Sequence, residues 1–380
     1  MKKDHYLFLC GSRGEWGYIR PILDICKKKK IKYSLIATNM LLLNSHGKLV
    51  NEIKLQGYNI TDEVYMSLEG SDYFTMTKSL SILLSSFVDI LKRIKPKWIV
   101  LAGDRGEQLV GAIAGAYTYT PVAHIQAGER SGNIDGVTRH AIAKFVHMHL
   151  ATNDDATNRL IKSGEEEKRV KKVGAPQLDE IRNKKYLQFK ELKKEFGNIV
   201  NSDYFLVLLH PVTEEIKKVK KQVKTLINVL KKYNNSKIWI FPNNDAGSEI
   251  IKNEIIKNRD INSKVYSNLS REKFLSLMKY SKFIIGNSSS GLIEAPSFKK
   301  PAINLGRRQK DRIKGNNIID ADFIEDQISK AITKAMSIKF NRDIKKMKNP
   351  YGDGDSSKKI LELLSKTEID DKLLIKKMTY

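Results

Sequence analysis

The sequence predicts an α/β fold with two domains, each built on a parallel sheet covered by helices. Short apolar strand patterns alternate with helical patterns from the start of the chain, which is typical of parallel sheets with helical crossovers. The 380 residues are enough for about two domains of ordinary size. A Lys/Glu-rich stretch over 183–196 separates two series of this alternation.

The composition indicates a globular protein with a basic surface. Lys and Arg number 68 against 43 Asp and Glu, giving a net charge of +25 that is spread along the whole chain. This charge favours anionic substrates, but no nucleic-acid-binding motif accompanies it, so no nucleic-acid partner is expected. Cys10 and Cys26 have neither metal-ligand spacing nor a pattern of paired bridges, which fits a reducing compartment. The apolar run after Met1 is too short for a signal peptide, and no membrane association is expected. We therefore predict a cytoplasmic protein.

The first strand, over 6–9, leads into a glycine-containing turn that precedes a helix over 19–27. Arg13 lies in this turn, at the carboxyl end of the strand, where open parallel sheets bind their ligands. The turn lacks the dinucleotide fingerprint and is a weak signal. An alternative interpretation makes Arg13 a surface turn residue.

A second strand over 33–37 is followed by a long amphipathic helix over 73–94. Its apolar side chains recur at helical spacing and are assigned to the core. They are Leu80, Leu83, Leu84, Phe87, Ile90 and Leu91.

Carboxylates and basic side chains follow the next two strands, over 98–101 and 122–125. Because the carboxyl ends of neighbouring parallel strands meet at one edge, these groups are expected to share a crevice and to supply a proton acceptor and a proton donor. Asp104 could instead be the N-cap of the helix that follows it. The group comprises Asp104, Arg105, Gln126, Glu129 and Asp135, and the helix after Asp135 carries Arg139.

The second series opens with a buried strand over 204–209, which His210 follows directly. A proline after His210 holds it in extended backbone, so it is a candidate phosphate contact or proton carrier, or alternatively a cap of the next helix. A strand over 238–241 ends shortly before Asn243.

A third strand of this series, over 283–285, runs into a turn of small hydrogen-bonding residues and then into a helix. Such a turn directs backbone N–H groups and hydroxyls at one point, where an anion such as phosphate binds. Glu294, one turn into the helix, is placed to accept hydrogen bonds from a ribose, and Arg308 is suited to a diphosphate. A serine-rich N-cap is the alternative interpretation. The turn contains Ser288, Ser289, Ser290 and Gly291.

Several long motifs in register resemble those of hydrolysing UDP-N-acetylglucosamine 2-epimerases, and the resemblance covers nearly the whole chain. The motifs are Gly103-Asp104-Arg105, His124-Ile125-Gln126-Ala127-Gly128-Glu129, Ile134-Asp135 with Arg139-His140-Ala141-Ile142, His210-Pro211-Val212-Thr213, Gly286-Asn287-Ser288-Ser289-Ser290-Gly291 and Asn349-Pro350-Tyr351-Gly352-Asp353-Gly354.

The resemblance implies two Rossmann-like domains facing one another across a cleft, the glycosyltransferase-B type. The expected domains are 1–176, with the catalytic carboxylates, and 177–352, which binds the nucleotide. Residues 353–380 form a helix that crosses back to the first domain, plus a polar tail predicted to be mobile. A homodimer is plausible by resemblance.

The resemblance also implies the reaction. UDP-N-acetylglucosamine loses its C2 proton and UDP to give 2-acetamidoglucal, and water then adds to yield N-acetylmannosamine, the entry to sialic-acid-type sugars. No nicotinamide is expected, because nothing is oxidised overall, and no metal motif is visible.

By the same resemblance, the catalytic carboxylates are Asp104 and Asp135, with no assignment of acid and base between them. The nucleotide or diphosphate contacts are Arg13, Arg105, His210, Asn243 and Arg308. Ser288 and Ser289 resemble phosphate-binding hydroxyls, and Glu294 resembles the ribose contact.

Two positions depart from the family pattern near the sugar. Gln126 stands where the best-described members have Glu, and an amide is not a carboxylate base, so Glu129 is a substitute candidate. Gly136 stands where an acidic residue is common. A related class acts on UDP- or GDP-linked N,N′-diacetylbacillosamine, on the route to legionaminic acid, and this sugar is the second candidate substrate. The competing hypotheses for the activity are a non-hydrolysing epimerase, a glycosyltransferase on the same fold and a non-catalytic polyanion binder.

Overall fold

Two parallel β-sheets organise the chain in the computed structural model, which describes residues 4–69, 72–131, 134–200, 203–243 and 245–380. The chain divides into two compact units. The first unit comprises Met1–Glu180 and Tyr351–Tyr380, and the second comprises Ile181–Pro350. The sequence predicts domain boundaries at residues 176 and 352, and these boundaries remain predictions. Residues 1–3, where the expectation about a signal segment begins, lie outside the described residues.

The first unit is a seven-stranded sheet with helices on both faces. Its strands are β1 (His5–Cys10), β2 (Lys32–Thr38), β3 (Asp62–Val64), β4 (Trp98–Ala102), β5 (Val122–Ala127), β6 (Met148–Ala151) and β7 (Val170–Lys172). Its helices are α1 (Arg13–Lys29), α2 (Leu49–Leu55), α3 (Tyr73–Ile94), α4 (Gly106–Tyr117), α5 (Ile134–Phe145) and α6 (Asp154–Lys162), with α7 (Gln177–Arg182) at its end.

The strand order of this sheet is β3-β2-β1-β4-β5-β6-β7, and every pairing is parallel. Alternate residues of β1 enter two separate cores: Tyr6 and Phe8 pack on one face, and Leu7 and Leu9 on the other. A strand buried on both faces needs apolar residues throughout, which explains its continuous apolar pattern. The order reverses between β1 and β4, and ligands of open α/β sheets bind at this switch point.

The second unit repeats the plan with a six-stranded parallel sheet of order β10-β9-β8-β11-β12-β13. Its strands are β8 (Phe205–Leu208), β9 (Lys237–Ile240), β10 (Ser263–Tyr266), β11 (Phe283–Gly286), β12 (Ala302–Leu305) and β13 (Ile318–Ala321). Its helices are α8 (Phe189–Phe196), α9 (Ile216–Lys231), α10 (Ser248–Asn258), α11 (Arg271–Tyr280), α12 (Ser290–Ile293), α13 (Glu325–Met336) and α14 (Ile338–Asp343). Here the order reverses between β8 and β11, which form the second switch point.

Helix α3 is long and apolar enough, by length and composition alone, to cross a membrane. Leu83, Phe87, Ile90 and Leu91 are buried in one core of the first sheet, as the helical spacing predicts. Leu80 and Leu84 are partly buried against the same core. This packing accounts for the apolar character of these positions.

The chain returns to the first unit through α15 (Ser356–Lys366) and α16 (Asp371–Leu374). The Asp179 carboxylate accepts the backbone N–H groups of Ser356 and Ser357 at 3.0 and 2.8 Å, and so caps α15. At the other end of α15, Trp98 Nε1 donates to the Leu364 carbonyl at 3.1 Å. The last long helix is therefore anchored to the first unit at both ends.

The polar tail, which the sequence predicts to be mobile, makes specific contacts with the rest of the first unit. The Arg169 guanidinium donates to the carbonyls of Leu373 at 2.7 Å and Lys372 at 2.8 Å. Lys376 Nζ lies 2.5 Å from an oxygen of Glu165, whose side chain is fully buried. Composition alone suggested mobility, because these partners are about 200 residues away in the chain.

Replacing Lys376 with methionine should lower the free energy of unfolding by about 2 kcal/mol, because a buried carboxylate then loses one of its cationic partners. Burial raises the pKa of Glu165, but hydrogen bonds from His149 and Lys376 outweigh burial and lower this pKa to about 2. The Glu165 carboxylate is therefore ionised at neutral pH. Urea denaturation measures the change. Lys377→Met, at an exposed neighbouring position, is the control and should leave stability unaltered. Equal effects of the two variants would contradict the assigned role of Lys376.

Candidate active site

The switch point of the first sheet gathers the basic and acidic residues that follow β1 and β4. Arg13 is the first residue of α1, immediately after its N-cap Ser12, and is half-buried. Asp104 follows β4 after Gly103, whose φ of 92° is a conformation that side chains other than glycine rarely adopt. Arg105 is the N-cap of α4 and makes no side-chain cap bond. Asp104 is therefore not the N-cap of this helix, and that alternative is wrong.

Arg139 holds Asp104 in place. Its Nη2 forms an ion pair with Asp104 Oδ2, which also accepts the Ser131 hydroxyl at 3.1 Å. The second arm of the guanidinium, Nη1, donates to the Gln126 carbonyl at 2.6 Å. Arg139 is 2% exposed, whereas the Asp104 side chain is 22% exposed. A buried cation thus fixes a carboxylate that solvent still reaches.

Asp135 lies in the first turn of α5, four residues before Arg139. Residues four apart on a helix lie on the same face, so α5 brings Asp135 to the side on which Arg139 binds Asp104. Arg139 appeared in the sequence as part of a motif but was not assigned to the site. Its spacing from Asp135 was the available signal.

Gln126 and Glu129 are buried at and just after the end of β5, and the two residues are 1% and 3% exposed. Glu129 accepts the Thr152 hydroxyl at 2.6 Å. Gln126 has a φ of 61°, and its Nε2 has no hydrogen-bond partner among the described residues. Of the acidic side chains predicted for the site, Asp104 and Asp135 are the ones that remain partly exposed.

Two buried carboxylates beside Arg105 were not assigned to the site from the sequence. Glu15 accepts the backbone N–H of Ser12 at 3.1 Å in a capping box, and Glu107 lies 3.5 Å from Arg105 Nε. Burial and the nearby Glu107 raise the pKa of Glu15 to about 8, so Glu15 carries a proton at neutral pH. The Ser-x-x-Glu spacing of the capping box was the signal that could have identified Glu15.

His124 fixes the turn that carries Asp104. This fully buried ring places Nε2 2.6 Å from the Gly103 carbonyl. A carbonyl only accepts, so Nε2 carries the proton. Burial lowers the pKa of His124 to about 3, and the ring is neutral in the folded protein.

The buried His124 should make the protein less stable as the pH falls. Between the ordinary pKa of 6.5 and the folded value of about 3, the unfolded chain binds a proton that the folded chain does not, so the stabilising contribution present above 6.5 is lost on acidification. The expected loss from this residue is about 2 kcal/mol between pH 7 and 5. Urea titrations at both pH values, compared with His124→Gln, measure it, since glutamine keeps an N–H donor. Parallel pH dependence of the two proteins would show that His124 does not titrate in this way.

The second switch point places His210 after β8 and the predicted phosphate turn after β11. Asn287 joins the two ends: its Oδ1 accepts the His210 N–H at 2.7 Å, and its Nδ2 donates to the His210 carbonyl at 2.8 Å. Helix α9 has Glu215 as its N-cap, so the alternative in which His210 caps that helix is wrong. The His210 ring approaches Asn243, which follows β9.

The phosphate turn depends on Gly286, which has a φ of 140°. A Cβ atom there would lie 1.9 Å from the Leu208 carbonyl oxygen of the adjacent strand. Glycine therefore permits β11 to end against β8 and the chain to turn directly into Asn287.

Serine hydroxyls lie along the turn that follows. Ser290 Oγ is 3.0 Å from Ser288 Oγ, and both Ser288 and Ser289 are partly exposed. Ser289 is the N-cap position of α12 and makes no side-chain cap bond, whereas Ser288 Oγ accepts the Ser290 N–H at 3.4 Å. Helix capping and phosphate binding therefore both stay interpretations of these serines. Gly291 packs against β12, where an added Cβ would lie 3.2 Å from Ala302 Cβ. Helix α12 ends at Ile293, and Glu294, expected one turn into the helix, is its C-cap.

Two further predicted contacts lie at the same turn. Arg308 Nη1 donates to the Asn287 carbonyl at 3.2 Å, which brings its guanidinium to the turn. Glu294 forms an ion pair with Arg271 Nη1 at 2.8 Å, with both side chains largely buried. Arg271, the first residue of α11, was not identified from the sequence. It sets the position of the carboxylate predicted to contact a ribose.

The chain is similar to known proteins over nearly its whole length. The family model for UDP-N-acetylglucosamine 2-epimerase matches residues 24–365. The chain is 32% identical over 378 residues to the hydrolysing UDP-N,N′-diacetylbacillosamine 2-epimerase of Legionella pneumophila, covering 98% of this chain and 99% of that relative. It is 34% identical over 349 residues to the hydrolysing GDP/UDP-N,N′-diacetylbacillosamine 2-epimerase of Campylobacter jejuni, covering 90% of each.

Among solved structures, the crystal structure of UDP-GlcNAc 2-epimerase from Neisseria meningitidis bound to UDP-GlcNAc has a TM-score of 0.81 at 21% identity, covering 96% of this chain and all of that chain. This likeness, with the two parallel sheets, confirms the predicted fold class of two Rossmann-like domains of the glycosyltransferase-B type. The match of the family model over most of the chain, together with relatives above 30% identity along nearly its full length, shows that the chain belongs to the UDP-N-acetylglucosamine 2-epimerase family.

Proposed function

We propose that this chain is a hydrolysing 2-epimerase of UDP-linked 2-acetamido sugars, with UDP-N-acetylglucosamine as the first candidate substrate. The C2 proton and UDP leave in an elimination that produces 2-acetamidoglucal. Water then supplies a hydroxyl to C1 and a proton to the opposite face of C2. The products are N-acetylmannosamine and UDP, and one water molecule is consumed.

The observation that carries this proposal is the Asp104–Arg139 ion pair, with Asp135 one helical turn before Arg139 on the same face of α5. Two partly exposed carboxylates at one switch point can serve as proton acceptor and proton donor. Different roles for the two carboxylates require different surroundings, and for Asp104 the structure shows the direct contact with Arg139. Gln126, with its buried amide, takes no proton-transfer role.

The phosphate turn of the second unit binds UDP in this proposal. Ser288 and Ser289 offer hydroxyl donors, and the Arg308 guanidinium offers two N–H groups in a geometry suited to a diphosphate. Glu294, oriented by Arg271 at 2.8 Å, accepts hydrogen bonds from the ribose hydroxyls. Arg13 and Arg105 add positive charge after β1 and β4, where the sugar and its leaving group require it.

Incubation with UDP-N-acetylglucosamine in deuterium oxide tests the reaction. We expect equimolar UDP and free N-acetylmannosamine that carries one deuterium at C2. Release of UDP without deuterium at C2 would exclude the elimination. Recovery of UDP-N-acetylmannosamine would identify a non-hydrolysing epimerase instead. A glycosyltransferase would release little UDP until an acceptor is added.

A second candidate substrate is UDP- or GDP-linked N,N′-diacetylbacillosamine. Two relatives at 32% and 34% identity act on that sugar. Gln126, with Nε2 lacking a partner among the described residues, differs from the usual glutamate near the sugar. Parallel assays with UDP- and GDP-linked forms of both sugars, scored by kcat/KM, decide between the candidates. A homodimer, a cytoplasmic location and a role in supplying sialic- or legionaminic-type sugars stay predictions.

A further inference from the structure

The position of the His210 backbone is set by one amide side chain. Asn287 bonds both the N–H and the carbonyl of His210, at 2.7 and 2.8 Å. The Asn287 carbonyl in turn accepts Gln309 Nε2 at 2.9 Å and Arg308 Nη1 at 3.2 Å. These bonds tie the His210 backbone to the phosphate turn. They do not determine which nitrogen of the His210 ring carries the proton, because that depends on the contacts of the ring.

The ring contacts Asn243, and Asn243 contacts Asp245. His210 Nδ1 lies 3.2 Å from Asn243 Oδ1, and Asn243 Nδ2 donates to Asp245 Oδ2 at 2.6 Å. The Asp245 residue is 6% exposed. An ionised carboxylate only accepts hydrogen bonds, so the amide of Asn243 must turn its NH₂ group towards Asp245 and its oxygen towards the ring.

This orientation determines which ring nitrogen carries the proton. An amide oxygen also only accepts, so Nδ1 must be the protonated nitrogen of the neutral ring. The backbone N–H of Asn243 lies 3.4 Å from the same Nδ1 and would favour the opposite tautomer. That contact is longer, at the limit of hydrogen bonding, whereas the 3.2 Å contact is supported by a charge-assisted bond to Asp245. The Nδ1–H tautomer follows.

We propose that Asp245 and Asn243 are positioning residues that hold His210 in its Nδ1–H tautomer and so present Nε2 as a proton acceptor. When water adds to 2-acetamidoglucal, its O–H bond breaks, its hydroxyl oxygen bonds to C1 and its proton goes to Nε2, whereas the proton transfers at C2 belong to the carboxylates of the first unit. Nδ1–H stays on the Asn243 oxygen, which also stabilises the resulting imidazolium, and the imidazolium returns its proton to solvent before the next turnover. The tautomer stands independently of the reaction. The use of Nε2 as an acceptor during turnover rests on the proposed 2-epimerase activity.

The tautomer is tested by multiple-bond ¹H–¹⁵N correlation spectra of protein labelled at histidine, recorded at pH 8.5 without substrate, where an uncharged imidazole predominates. His210→Gln identifies the His210 signals by their disappearance. We expect the Nδ1–H pattern in the wild-type protein, and a shift towards Nε2–H in Asp245→Ala and Asn243→Ala. Glu249→Gln, at a 59% exposed side chain on α10, is the control and should leave the pattern unchanged. An Nε2–H pattern in the wild-type protein overturns the proposal.

A second variant keeps the test decisive if Asp245→Ala does not fold. Asp245→Asn keeps the shape of the side chain but removes the negative charge beyond Asn243, so the protonated ring is less stabilised and the pKa of His210 should fall. The NMR titration of His210 and the acid limb of kcat against pH should then move together to lower pH, while UDP affinity by calorimetry changes little. If the ring titration moves but the acid limb stays, Nε2 is not the acceptor in turnover and that half of the proposal is wrong. If no sugar nucleotide is turned over, the proposed function is wrong. The spectra then still decide whether the assignment of the tautomer is correct.

Discussion

We expect Asp104→Asn to lower kcat for the proposed hydrolysis of UDP-N-acetylglucosamine by about 10³-fold, the usual scale for losing a positioned acid or base. Asparagine has nearly the same shape and can still accept from Arg139 and Ser131, so the turn geometry is kept. What disappears is a group able to exchange a proton at the switch point of the first sheet. The affinity for UDP, which the second unit supplies in the proposed function, should change by less than about twofold, well under 1 kcal/mol.

Turnover assays and calorimetry with UDP measure the two halves of this expectation separately. Asp154→Asn is a matched control, because Asp154 is a surface carboxylate on α6 that is 77% exposed and pairs with Lys172. It should leave both kcat and UDP affinity unaltered. The Asp104 variant also loses the charge that balances the buried Arg139, so a modest loss of stability of about 1–2 kcal/mol is expected after allowing for the partial exposure of Asp104. An unchanged kcat would remove Asp104 from the proposed chemistry.

Gly286→Ala should be the most disruptive substitution in the second unit. The added Cβ would lie 1.9 Å from the Leu208 carbonyl oxygen, at a backbone φ of 140°. Neither backbone can retreat without breaking the pairing of β11 with β8, so we expect a loss of about 3 kcal/mol or more in the free energy of unfolding. Displacement of Asn287 should also release the His210 backbone and weaken UDP binding at least about tenfold, which is 1.4 kcal/mol.

Gly197→Ala separates backbone strain from the steric clash. Gly197 also has a positive φ, of 71°, but an added Cβ there would meet nothing within 4 Å. Its cost should be limited to about 1–2 kcal/mol of conformational strain, with UDP affinity unchanged. Urea denaturation and calorimetry of both variants give the comparison. Similar behaviour of the two would mean that the close approach of β11 to β8 is not what Gly286 makes possible.

The positions of the candidate site residues could be predicted from the local sequence pattern. Asp104, His210 and Ser288 each follow a buried strand, and parallel strands direct their carboxyl ends to one edge of the sheet. The roles of the residues that contact them in space could not be predicted in this way. Arg139 follows Asp104 by 35 residues and Asn287 follows His210 by 77. Asn243 was predicted as a nucleotide contact, while the structure places its amide between His210 and Asp245.

The C-terminal tail shows the same limit of local pattern. Its polar composition predicts mobility, but Arg169 and Glu165 hold it through carbonyls and a lysine that are about 200 residues distant. Polarity indicates that a segment tolerates water, and it does not indicate which buried partner the segment meets.

The order of strands and helices, the two-domain organisation into parallel sheets and the residues at strand ends follow from the sequence itself, because strands buried on both faces require unbroken apolar runs whatever lies far away in the chain. The tertiary structure alone decided that Arg139 pairs with Asp104, Arg271 with Glu294 and Asn287 with His210. Each of these contacts joins groups that only the folding of the chain brings within hydrogen-bond distance. Hydrogen bonds and ion pairs of this kind act over a few ångströms in space, and separation along the chain carries no information about that distance.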